Sequence, residues 1–283
     1  MAVWVAIFPL RSVVLVWLMV LALLPGSVAA LSLQGDLLQG GLAIAQVEPG
    51  TQVRVDGKPV RVSEEGIFII GFSRENPLQS EIRLIAPDGS EHKELISIGK
   101  RSYKIQRIDG LPQSKVTPPK RDWERIRKET AQIKAARKLD EPRTDFLKGF
   151  ILPVKGRISG VYGSQRILNG KPKRPHSGLD LAASEGAPVV APADGVITLA
   201  HPDMFYSGGT LLLDHGHGLT TSYLHLSRLL VEQGQRVRQG EVIGEVGMTG
   251  RATGPHLHWG LNLFEKRLDP QLLLKADPTS KGE

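Results

Sequence analysis

At 283 residues the chain exceeds a single domain of roughly 100–200 residues, so two folded units with connecting segments are expected. Its 41% hydrophobic and 23% charged content is that of a globular protein, and 31 Gly and 19 Pro with few long helical patterns point to a mainly β fold. A formal charge of +7 fits nucleic acid, anionic lipid or an anionic wall polymer alike, while the absence of Cys excludes disulfides, thiolate metal ligands and a lipoprotein-type anchor.

In chain order, Arg11 precedes the apolar run Ser12 to Leu24, and Pro25-Gly26-Ser27-Val28-Ala29-Ala30 supplies small residues suited to signal peptidase. Residues 1–30 therefore read as a secretory signal. The apolar stretch Val3 to Leu10 and the single basic residue leave an uncleaved anchor as the alternative, in which case this segment alone would meet the membrane.

Residues 31–110 carry short alternating runs, Thr51 to Val55, Pro59 to Val62 and Ile67 to Ile70. Asp56-Gly57 between two of them is a hairpin signal, because both turn positions tolerate positive φ, and Ile82 to Ile85 followed by Asp88-Gly89 reads as a second hairpin. The expectation is a small β-sandwich of immunoglobulin-like type, a place where a protein regulator would bind. Its one histidine, His92, has no acidic or histidine cluster around it and reads as a solvated surface residue.

Residues 111–147 form a linker. Thr117-Pro118-Pro119-Lys120 breaks the β pattern, and Arg121 to Lys138, free of Gly and Pro, places Trp123, Ile126, Thr130 and Ile133 along one face of a helix. That this helix docks near the cleft of the following domain and controls access is a hypothesis resting on its position alone. Residues 148–275 form the second domain and 276–283 a tail.

Seven of the eight histidines lie between His176 and His258, in and around three short groups: Pro175-His176-Ser177-Gly178-Leu179-Asp180, Ser222-Tyr223-Leu224-His225-Leu226 and Gly254-Pro255-His256-Leu257-His258-Trp259. Pro175 and Gly178 disfavour a helix, so His176 and Asp180 meet as a loop residue and a strand residue. His256 and His258 are two apart, and strand residues i and i+2 project from the same face, so both imidazoles point into one site. A catalytic zinc takes three protein ligands and keeps an open position, which His176, Asp180 and one member of the His256/His258 pair supply. For any one histidine a hydrogen-bonded structural role is the plainer reading; three groups together favour the metal site. Lys171, Lys173 and Arg174 are the basic cluster beside these groups and are assigned to attract substrate carboxylates. No aromatic-studded basic stretch of the kind that stacks bases accompanies them, so nucleic acid is set aside. His201 and His217 are assigned to loops, with substrate contact as the alternative.

These residues resemble the lysostaphin-type peptidase family M23, also called the LytM domain. His176-Ser-Gly-Leu-Asp180 is similar to its first metal motif, Tyr223-Leu-His225-Leu226 to its middle histidine motif, and Gly250-Arg-Ala-Thr-Gly-Pro-His-Leu-His258 to its last. The resemblance covers about Leu152 to Leu274. It implies an antiparallel β-sheet domain with an open groove, one zinc ion bound by His176, Asp180 and His258, and catalytic roles for His225 and His256. It also implies a peptidoglycan stem-peptide substrate. With a secretory signal and no wall-binding repeats, a periplasmic endopeptidase cutting the D-alanine to diaminopimelate bond is expected.

Two departures stand out. Where many relatives carry an acidic residue soon after the last metal histidine, this chain has Trp259-Gly260-Leu261, and Asp214-His215-Gly216-His217 carries an extra histidine. His215 reads as a residue supporting the metal ligands or the fold. Ala191-Pro-Ala-Asp-Gly-Val196 and Val231 to Gly244 resemble halves of biotinyl and lipoyl barrels as well. The interval between them holds no lysine to modify, so they read as core strands and turns of the groove. The alternative function is a non-catalytic LytM-like module that activates another wall hydrolase, and zinc content discriminates the two. A structural or adhesion role for the N-terminal unit is a third; an open coordination position argues against it.

Overall fold

The computed structural model describes residues 31–110 and 116–274. The expected secretory segment 1–30 and the tail 276–283 lie outside the described residues. Among the described residues no helix is long and apolar enough to cross a membrane. Among the described residues the protein is mainly β with one α-helix.

The N-terminal runs become seven strands, β1 Ser32–Gly35, β2 Leu42–Gln46, β3 Gln52–Val55, β4 Lys58–Val60, β5 Ile67–Gly71, β6 Gln79–Ile85 and β7 Glu91–Ser97. They form two sheets, ordered β1-β2-β5 and β4-β3-β6-β7, that share one core including Ala43, Val53, Phe68, Ile82 and Ile96. Asp56 and Gly57 take φ of +50° and +75° and close the β3–β4 hairpin with two residues, as their sequence implies. At the second hairpin only Gly89 has positive φ, and Ala86 to Ser90 make a wider loop. A constant-type immunoglobulin domain sets its fourth strand beside the fifth. Here β4 pairs with β3, so the immunoglobulin detail is not confirmed.

The unbroken apolar run Ile67 to Ile70 has a physical cause, because β5 is covered on both faces. Phe68 and Ile70 enter the sandwich core, while Ile69, with Leu42, packs against Phe146, Leu219, Leu261, Leu263 and Leu268 from the C-terminal part. Arg101 also pairs with the buried Asp269, and Tyr162 donates its hydroxyl to Arg267 O.

Strand β8 (Ile105–Ile108) lies within the expected N-terminal segment 31–110. It leaves the sandwich and pairs in parallel with β10 (Gln165–Leu168), which follows β9 (Arg157–Gly160). The intervening helix α1 (Trp123–Ala136) does not bury the expected face. Trp123 and Thr130 are exposed, and the docked stripe is Ile126, Glu129, Ile133 and Ala136. Glu129 decides this, since its carboxylate accepts from Phe205 N at 2.8 Å and Arg125 Nε at 2.6 Å.

The remaining strands are β11 Lys171–Pro172, β12 Gly178–Ala182, β13 Pro188–Val190, β14 Gly195–Met204, β15 Gly208–Asp214, β16 Leu219–Leu226, β17 Arg228–Leu229, β18 Arg236–Val237, β19 Val242–Glu245, β20 His256–Leu263 and β21 Lys266–Leu268. An eight-stranded sheet runs β18-β14-β15-β16-β20-β12-β9 with β21 beside β20. Under it lies the small sheet β13-β19-β17, whose Val189 and Ile243 fill the core with Ala191, Val231 and Val237. The two barrel-like stretches are thus core elements.

Candidate metal centre and active site

Register decides what faces the site. One row across the sheet, Leu211, Tyr223, Trp259 and Leu179, points into the core. The next row, Leu224, His258, Asp180 and Gly160, points to the opposite face, because successive strand residues alternate. Gly160 is required there: a Cβ would lie 2.4 Å from Asp180 Oδ2.

His176, in the loop before β12, joins this row. Its Nε2 lies 2.9 Å from Asp180 Oδ1 and 3.0 Å from His258 Nδ1, and His258 Nδ1 lies 2.7 Å from the same carboxylate oxygen. His176 Nδ1 donates to Val161 O at 3.0 Å, which leaves Nε2 with a lone pair. That lone pair meets a carboxylate oxygen, an arrangement that calls for a shared cation or proton. Four-coordinate zinc with ligand bonds of about 2.0–2.1 Å spaces its ligands about 3.3 Å apart, so this donor set fits the ion with a few tenths of an ångström of expansion. All three residues are buried. Burial pushes His258 down to about 4, so it is neutral and able to ligate at neutral pH. Burial alone would raise the Asp180 carboxyl, but the His176 and His258 imidazoles hold it well below the usual carboxylate range. Its second oxygen accepts from Arg166 Nη2 at 2.8 Å.

His225 and His256 flank the cluster, with ring centroids 4.8 Å apart. His225 sits at the end of β16 with φ of +69°, pinned by its N–H to Ser207 O. Its Nδ1 donates to Thr249 O and that of His256 to Gly254 O, each at 2.8 Å, so both present an Nε2 lone pair. His256 Nε2 is 3.9 Å from Asp180 Oδ1. Burial first, then His258 and His256, push His225 down to about 3, which keeps it neutral.

A cavity of about 260 Å³ opens over these groups, lined by Asp180, His225 and His256 together with Ser159, Arg166, Arg251 and, from β8, Gln106 and Ile108. No residue of α1 lines it; the helix packs through Ile133 and Ala136 on Leu199, Met204 and Leu212. Lys171 and Lys173 hold the linker through Thr117 Oγ1 and Val116 O, and neither they nor Arg174 line the cavity. Among the described residues the cations that do are Arg166 and Arg251, which the sequence reading missed although Arg251 stands inside the Gly250 to His258 motif.

His215 is fully buried: Nδ1 donates to Asp194 O at 2.7 Å and Nε2 accepts from Thr221 Oγ1 at 2.8 Å. Neither partner belongs to the metal cluster, so its place is in the fold. His201 lies in strand β14, not in a loop, where the pairing with β15 bulges. His217 occupies a turn but is buried against Phe146.

The profile of peptidase family M23 matches residues 174–270. The chain is 45% identical over 111 residues to the peptidoglycan DD-endopeptidase ShyA of Vibrio cholerae, covering 38% of this chain and 25% of that one. It is 47% identical over 117 residues to the DD-carboxypeptidase/endopeptidase Mpg of Neisseria meningitidis, covering 41% and 27%. The match thus spans about a quarter of the length of these curated relatives. Across nearly the whole fold it is similar to the crystal structure of a Pseudomonas aeruginosa protein described as an M23 peptidase, at 34% identity and a TM-score of 0.65, covering 84% of this chain and 95% of that one. The motifs, the sheet that carries them and this similarity over 84% of the chain together place it in peptidase family M23.

Proposed function

We propose that the protein is an exported zinc endopeptidase that hydrolyses peptide cross-links of peptidoglycan in the periplasm, with D-alanine to diaminopimelate as the bond cut. The observation that carries the reading is the convergence of His176 Nε2, Asp180 Oδ1 and His258 Nδ1, at 2.7–3.0 Å, beneath a cavity flanked by two more Nε2 lone pairs. A zinc ion held by these three residues would supply Lewis-acid chemistry to polarise the scissile carbonyl and activate water. Of the flanking pair, His225 and His256, one imidazole accepts the proton of the attacking water at Nε2 and returns it to the leaving amide nitrogen. Thr249 O and Gly254 O keep each ring in the tautomer that task needs. Arg166 steadies the Asp180 carboxylate through its outer oxygen. The ShyA and Mpg similarities support the substrate class. A protein regulator bound to the N-terminal sandwich would act through β8, which that unit delivers to the cavity wall.

The test is incubation of the chain from Leu31 onward with cross-linked peptidoglycan, with and without a zinc chelator, and mass spectrometry of the released muropeptides. Chelator-sensitive loss of cross-linked dimers, abolished by His258→Ala, is expected. A zinc-free protein that cleaves nothing yet stimulates a separate wall hydrolase would replace this reading with the regulatory one.

A further inference from the structure

We propose that Arg251, with Arg166 beside it, receives a carboxylate carried on the carbon that bears the scissile amide nitrogen, and thereby selects diaminopimelate cross-links over glycine bridges. The inference rests on the endopeptidase reading and deepens it. In a cross-link to diaminopimelate the carbon attached to the scissile nitrogen carries a carboxylate; a glycine bridge places a neutral amide there. A residue that senses this difference must lie beside the hydrolytic groups, carry positive charge and hold a fixed position.

Arg251 meets each condition. It lines the same cavity as Asp180, His225 and His256. The acid in that lining is committed, since Asp180 Oδ1 faces His176 and His258 and Oδ2 accepts from Arg166. Arg166 and Arg251 are the guanidinium groups of the described lining, and Asp180 is its carboxylate. Burial first, and the Arg166 cation as a further contribution, hold the Arg251 pKa below its ordinary value.

Its position is set by the loop that orients both imidazoles. Thr249 O holds His225, Gly254 O holds His256, and Arg251 stands between them in the chain. The Arg251 backbone N–H donates to Tyr206 O at 2.8 Å, and its guanidinium lies 4.5 Å from the centroid of the Tyr206 ring. Gly250, at φ of +73°, lets the loop press onto β15, where a Cβ would lie 2.4 Å from Gly208 N. A planar guanidinium so anchored matches the bidentate geometry of a carboxylate, which an ammonium on a mobile stem would not.

The experiment uses a pair of cross-linked stem-peptide dimers that differ at one group, a free carboxylate or its amide on the carbon next to the scissile nitrogen. Calorimetric binding to the metal-free protein is measured for wild type, Arg251→Gln and Arg251→Lys. Wild type is expected to bind the carboxylate form about tenfold or more tightly than the amide. Arg251→Gln should erase that ratio, and Arg251→Lys should keep part of it. Equal affinity of wild type for both peptides, or an undiminished ratio in Arg251→Gln, would overturn the proposal. Cleavage of the same pair by the zinc-loaded protein separates the two ideas. Cleavage of both peptides with no binding preference removes the carboxylate site and leaves the endopeptidase; a binding preference with no cleavage does the reverse.

Discussion

Thr249 offers the sharpest probe of how this site is held together. Its hydroxyl donates to Leu226 O and accepts from Gly209 N, both at 2.9 Å, while its own carbonyl holds the His225 ring. Thr249→Val keeps the shape and removes both hydroxyl bonds. At a net 0.5–1.5 kcal/mol per hydrogen bond the loss is about 1–3 kcal/mol. At about 2–4 °C per kcal/mol for a chain of this size, a 2 kcal/mol loss lowers the melting temperature by roughly 4–8 °C. The larger effect is expected on turnover. Freed from β15 and β16, the loop no longer fixes the acceptor that keeps the His225 proton on Nδ1, and a misplacement near 1 Å costs on the order of 100-fold. The assay is zinc stoichiometry, melting temperature and kcat on cross-linked muropeptides, with Thr249→Ser as the control that keeps the hydroxyl. The expected pattern is kcat down about 10–100-fold in the valine variant, one zinc retained, and the serine variant near wild type. Wild-type kcat in Thr249→Val would refute the reasoning, as would loss of zinc, because no cluster residue touches Thr249.

Other consequences follow from the same geometry. His215, pushed down to about 4 by burial, is neutral in the fold but takes a proton in the unfolded chain below about 6.5. Its contribution is fully present above about pH 6.5 and falls away as pH drops towards 4, by up to about 3 kcal/mol. Denaturant midpoints between pH 7.5 and 4.5 should show this slope in wild type and a shallower one in His215→Gln; equal slopes would exclude the residue as the cause. Glu129→Ala removes the carboxylate to which Phe205 N–H and Arg125 donate, costing about 1–3 kcal/mol, whereas Glu129→Gln keeps an acceptor and recovers part of it in thermal melts. Leu268→Ala empties a fully buried position between the two units, for about 2–4 kcal/mol, and should speed limited proteolysis between the sandwich and β9; an unchanged digestion pattern would show that the units are held by polar contacts instead.

The gathering of His176, Asp180 and the His256/His258 pair was legible from short-range periodicity, whereas the choice of His258 as the third member of the cluster came from the family resemblance. His256 and His258 share a face by the two-residue strand repeat, and Pro175 and Gly178 end any helix so that His176 folds back onto Asp180. Asp56-Gly57 was readable for the same local reason. What escaped the reading depends on contacts distant in sequence. Nothing around Ile105 to Ile108 announces a parallel pairing with Gln165 to Leu168, and the docked face of α1 is set by one carboxylate reaching Phe205, where apolar spacing pointed to Trp123. Arg166 and Arg251 carry no periodic signal either. Each becomes meaningful only when the sheet brings it beside Asp180 or Tyr206, whereas Lys171 and Lys173, adjacent in sequence to His176, are turned to the linker.

The central claim is that His176, Asp180 and His258 form one zinc site. Elemental analysis of the purified chain from Leu31 onward, after dialysis against metal-free buffer, tests it most directly when run beside Asp180→Asn and His258→Ala. The account predicts one zinc per wild-type chain and less than a tenth as much in either variant, with folding retained. A wild-type protein that holds no zinc when offered it, or variants that keep a full equivalent, would contradict it.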